Sequence, residues 1–160
     1  MSGRLRAAAA GATAATIWAL EEPLDQQLLR CDYSDVALLG KAVTRGPNWR
    51  AAGLAIHALN GALFGLAFHD ARRILTVDPK KLALGMALAE HLVLFPLCYF
   101  VDRHHPARGE PGIPPLLTNP RAFAQATWRR TSCSRSVSSS TWGARERRPN
   151  SSSSLLATCG

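Results

Sequence analysis

An all-α, membrane-embedded helical bundle is the fold class this sequence predicts, on three observations. Segments 51–68 and 82–101 are apolar nearly all round, and segment 5–20 is a shorter, more weakly apolar stretch. Basic and aromatic residues gather at their ends, as they do beside a bilayer. Small residues recur within them every four positions, which lets helices associate where hydrophobicity supplies no driving force. A soluble helix of such length would set a charged face opposite its apolar stripe. A core helix could also be apolar all round, but this chain has no further elements with which to surround two of them.

The 160 residues are enough for one domain with a core. Mean hydropathy, −0.03, averages two unlike regions. Residues 1–130 contain two serines, Ser2 and Ser34, whereas residues 131–160 contain ten. The expected division is therefore a helical membrane domain over 1–130 and a polar tail over 131–160. A net charge of +8 would suit a nucleic-acid binder. The basic residues lie beside apolar segments, however, so the expected partner is the lipid bilayer and not nucleic acid. Cys31, Cys98, Cys133 and Cys159 show no CxxC or zinc spacing, so neither a disulfide framework nor a metal site is expected.

The first segment, 5–20, follows Arg4 and Arg6 and is short for a span. A cleaved signal peptide is the competing reading; Trp18 and Glu21–Glu22 directly after it favour an uncleaved helix. In the polar connection 21–50, Ser34 or Asp35 caps a short amphipathic helix with Val36, Leu39 and Val43 on one side. That helix is expected to lie along the membrane surface. Segment 51–68 carries no full charge; segment 82–101 holds Glu90 and Pro96. The short basic loop between them makes the two a helical hairpin. Residues 102–120 are proline-rich and read as a loop. Asn119–Pro120 then starts a new helix over 120–130, with an N-cap followed by proline at the first helical position.

Charge sets the orientation. Lys and Arg concentrate at the N-terminus and in the loop 69–81, which the positive-inside rule puts in the cytoplasm. Trp18, Trp49 and Tyr99 then fall at the opposite interface of the cell (inner) membrane, with Trp128 joining them at the start of a fourth span. That span does not follow: Arg129–Arg130 leads into Ser/Arg-rich sequence that cannot bury anything. A native disordered tail and a frameshifted reading of an apolar span are both open, and the nucleotide sequence separates them.

Gly53, Gly61 and Gly65 in segment two, Gly11 in segment one and Gly85 in segment three are the expected helix-packing positions. The chemically suggestive residues form a mid-membrane polar cluster: His57 and Asn60 in segment two, Glu90 and His91 in segment three. In an antiparallel hairpin their depths coincide, with Glu90 facing His57 or Asn60. A buried ionisable group costs about 2.5–3.5 kcal/mol on insertion scales and therefore faces a partner or water. Three uses compete: a hydrogen-bonded pin fixing helix register, a proton or ion relay, and a haem or metal site on His57 and His91. His104–His105 reads as a solvated polar turn. No Walker loop, GxGxxG, HExxH or GxSxG is present, so no catalytic residue and no cofactor is assigned.

The run Trp18-Ala-Leu-Glu-Glu-Pro23, with His57-xx-Asn60-Gly61-xxx-Gly65 and Gly85-xxxx-Glu90-His91, resembles small four-helix bacterial inner-membrane proteins, including the YagU-like group. The resemblance covers residues 5–130 and implies a four-span membrane protein without specifying an activity. Taken together, the expectation is a small multi-pass membrane protein with a structural or assembly role, alone, as a homo-oligomer or with another membrane protein. The alternative is a transporter or proton relay using the Glu/His cluster, and a haem protein ranks third.

Overall fold

The computed structural model describes residues 2–128; the tail 131–160, with its two readings, lies outside them. The described residues are mostly helical and contain no strand. The helices are α1 (Gly3–Leu20), α2 (Glu22–Leu29), α3 (Asp35–Val43), α4 (Trp49–Ile74), α5 (Pro79–Leu94) and α6 (Leu97–His104), followed by a helical segment at 120–128.

Local chemistry accounts for the boundaries. Ser34 rather than Asp35 caps α3, its hydroxyl accepting from Ala37 N at 2.9 Å. Asp78 caps α5 by accepting from Lys80 N and Lys81 N, and Pro79 follows where no amide hydrogen is needed. Asn119 does the same for residues 121 and 122.

α4 organises the molecule. Its 26 residues extend the predicted segment at both ends and give a length of about 39 Å at the usual helical rise. α1 runs antiparallel along it. A Cβ built on Gly11 would overlap the carbonyl of Gly61, and one on Gly65 would overlap the carbonyl of Ala7. Ala7, Gly11, Ala15 and Ala19 are all buried on that face of α1. Gly53 is different: it meets Val36 of α3, while Gly40 of α3 meets Trp49. Four residues overshoot a helical turn by about 40°, so a stripe with this spacing rotates around α4 and serves α3 at one end and α1 at the other.

Three expectations need correction. The dominant pairing is α1 with α4, not a hairpin of α4 with α5. α5 meets α4 near their connecting loop, where Phe68 packs on Leu82 and Ala83, and it diverges beyond. Segment 82–101 is not one helix either. Pro96 has no amide hydrogen to continue the ladder, and α6 leaves α5 at 49°. α3 meets α4 through Val36 and Gly40, with Ala37 buried, Leu38 half-buried against neighbouring clusters and Val43 exposed. Gly85 packs against nothing: no described neighbour lies within 4 Å of a Cβ placed there.

At the end of α4 away from His69, the proline-rich segment folds over α3. Tyr33 and Gly112 form an isolated parallel bridge, with Ser34 N donating to Gly112 O at 2.9 Å. Gly112 adopts φ 88°, and a side chain there would also press on Ala37. The Asp102 carboxylate accepts from Leu116 N and Leu117 N at 2.8–3.0 Å. Among the described residues, α4 is long and apolar enough to cross a membrane, and α5 with α6 is a second candidate if the bent pair counts as one span. α1 is not.

Candidate functional site

The divergence of α5 from α4, and the close approach of α1 to α4 through residues with little or no side chain, leave a cavity of about 320 Å³. Gly11 and Ala15 from α1, Gly61 from α4 and Ala87 from α5 line it because they cannot fill it. His57, Asn60, Glu90 and His91 all line this same cavity, so the structure brings the four predicted polar residues together around one space. His91 is buried, His57 and Glu90 are half-buried and Asn60 is exposed.

His91 is held by the segment 120–128. The Thr127 hydroxyl donates to Phe123 O at 2.8 Å, so it accepts from His91 Nε2, 3.0 Å away. The Phe123 ring packs against His91 at 4.8 Å and against Phe95 at 5.1 Å. Trp128 follows Thr127 at the end of the described helical segment.

The cavity also has walls that sequence reasoning did not assign. Trp18, Tyr33 and Asp35 line it, with Tyr33 Oη donating to Asp35 Oδ1 at 2.6 Å. Tyr33 O accepts from both Gln26 Nε2 and Gln125 Nε2. Nothing in the local sequence ties Tyr33 to Gln125, which lies 92 positions away. Cys31 is buried in the apolar cluster beside this wall, and Cys98, itself part of the wall, packs against it; burial pushes the Cys31 thiol up from its ordinary value.

His104 and His105 separate. His104 stacks on Phe100 at 4.5 Å. His105 is not a solvated turn residue: its Nε2 donates to Leu38 O at 2.9 Å and its Nδ1 accepts from Ala107 N at 3.1 Å. Among the described residues, no group of three or more His, Cys, Asp or Glu could hold a metal ion.

Charged groups concentrate at the two ends. Arg4 of α1 pairs with Asp70 of α4 at 3.0 Å, so the N-terminus and the 69–81 loop share one end of the molecule. At the other end Glu110 joins Lys41 at 3.1 Å and also pairs with Arg45. These contacts hold the Glu110 carboxyl below the usual range, the Lys41 hydrogen bond contributing most and Arg45 next. Comparison with known proteins found no matching family model, no matching curated protein and no matching solved structure.

Proposed function

We propose that this chain is a multi-span integral membrane protein whose working site is the cavity between α1, α4 and α5. One observation carries the membrane reading: the apolar window of α4 is only 17% buried within the protein. A soluble core helix of that composition would be covered by its neighbours. Here Leu59 and Leu63 of α4 and Leu88, Leu92 and Val93 of α5 face outward, which suits hydrocarbon or a second copy of the chain. α4 and the bent α5–α6 pair are the spans, and α1, too short and weakly apolar to span by itself, packs along α4 through its small-residue face. The positive-inside rule assigns the end bearing Arg4, Arg72, Arg73, Lys80 and Lys81 to the cytoplasm.

A purely structural or assembly role needs the helix packing but not the cavity. The convergence of His57, Asn60, Glu90 and His91 on one cavity favours transport or relay over it. Alkaline carbonate extraction tests the membrane reading: the full-length chain stays in the pellet, and its release into the supernatant as a folded monomer rejects it. Labelling of single cysteines introduced at Ser2 and Thr76 tests the sidedness, both being reached from the same face.

A further inference from the structure

The cavity walls carry one sign of fixed charge. Two carboxylates line it, Asp35 at the start of α3 and Glu90 of α5. Among the described residues no lysine or arginine does, although the chain carries a net charge of +8. The Tyr33 hydroxyl holds Asp35 in position. Between the carboxylates the walls are mostly carbon, with the rings of Trp18, Tyr33 and Phe123 among them.

Such a space discriminates between cations. A small inorganic ion needs a shell of several oxygens to replace its water, and these walls offer mainly apolar surface. A substituted ammonium is weakly hydrated, shares its charge over methyl or methylene groups, and is attracted to the faces of aromatic rings. Its apolar body also gains by leaving water. A volume of about 320 Å³ is at the small end for ligand pockets, which limits the occupant to a compact molecule. We infer that the cavity binds a small organic cation, a substituted ammonium with an apolar body, its charge directed at Glu90 and Asp35. This deepens the proposed function and rests on the cavity being its working site.

The test uses the full-length chain purified in neutral detergent. Benzyltrimethylammonium is titrated by calorimetry, beside its uncharged carbon isostere neopentylbenzene and beside potassium chloride at equal ionic strength. The cation binds saturably, potassium does not displace it, and the isostere binds at least about tenfold more weakly, the loss expected when one charge contact is absent. Glu90→Gln weakens cation binding by a similar factor while leaving the isostere unaffected; Asp35→Asn supplies the same readout if the first variant does not fold. Gly85→Ala, remote from the cavity, binds as the parent does. Equal affinity for cation and isostere, or undiminished cation binding by both carboxamide variants, overturns the inference. Failure of the membrane reading is visible separately in the carbonate supernatant, whatever the calorimetry gives.

Discussion

α4 is gripped twice, by α1 toward one end and, through α3, by the folded proline-rich segment toward the other, and the two grips use different physics. The α1 contact relies on backbone proximity, with Gly11, Gly61 and Gly65 letting carbonyls approach where any side chain would collide. The α3 contact starts the same way, at Gly40 and Gly53, but is then overlaid by hydrogen bonds. Asp32, Asp102, His105 and Ser34 each satisfy backbone groups of the cap or its neighbours. The contrast matches the solvent each region is proposed to meet. In hydrocarbon, association has to come from close van der Waals packing; at the polar boundary, exposed backbone groups are present and can be used.

The largest expected effect breaks the first grip. Gly11→Val inserts a branched side chain into the Gly61 carbonyl and lies within reach of Gly65 Cα, 3.2 Å from the Cβ position. Overpacking of this kind costs about 3 kcal/mol, the upper end of the usual range, because rigid backbone rather than a mobile side chain must yield. Thermal unfolding in mild detergent, followed by circular dichroism, measures it. Gly85→Ala is the matched control: it meets open space and gains about 1 kcal/mol of helix propensity. If both variants shift stability alike, the α1–α4 contact is not the one described.

A smaller effect is expected in the cap. Asp102→Ala removes the acceptor for the Leu116 and Leu117 amides and costs about 1–3 kcal/mol, the penalty for groups left unsatisfied. The loss should be confined to the cap: hydrogen exchange accelerates around residues 112–118, while amides in the middle of α4 keep their protection. Exchange spreading evenly through α4 would mean that the two grips are not separable. Ser34→Ala follows at about 1 kcal/mol, the usual worth of an N-cap, read from the same unfolding curves.

What the sequence made legible divides along the same line. Periodicity revealed the faces of α1 and α4, because small residues every four positions have few other uses in apolar helices. It also marked His57, Asn60, Glu90 and His91, since polar groups stand out against an apolar background. Partner choice was hidden: Gly53 and Gly61 look identical in sequence, yet one meets α3 and the other α1. Gly85 shows the converse, a glycine in an apolar helix with no backbone to approach. Pro96 was visible, but whether a proline kinks a span or divides it depends on packing beyond it. Tyr33 and Asp35 escaped notice because their place in the cavity wall depends on contacts with Leu116, Ala122 and Gln125, distant in the chain and separated by loops without periodicity.

The smallest effect separates the cap's ion pairs from its backbone hydrogen bonds. Glu110 has its folded-state pKa lowered by Lys41 and then Arg45. A lowered carboxyl pKa stabilises fully above the ordinary glutamate value, and the contribution disappears as pH falls through the folded value, when the protonated side chain no longer holds its charge. Comparing the thermal midpoint of the parent with that of Glu110→Gln therefore gives a difference at about pH 7 that vanishes once the pH has fallen below the lowered folded-state value. Because the pairs are open to solvent, the difference is small and shrinks with added salt. Leu38 O, which accepts from His105, and Gly112 O, which accepts from Ser34 N, owe nothing to the Glu110 charge, so the cap should stay folded in Glu110→Gln at about pH 7. Loss of the cap together with the Glu110 charge would make electrostatics, not hydrogen bonding, the basis of the second grip.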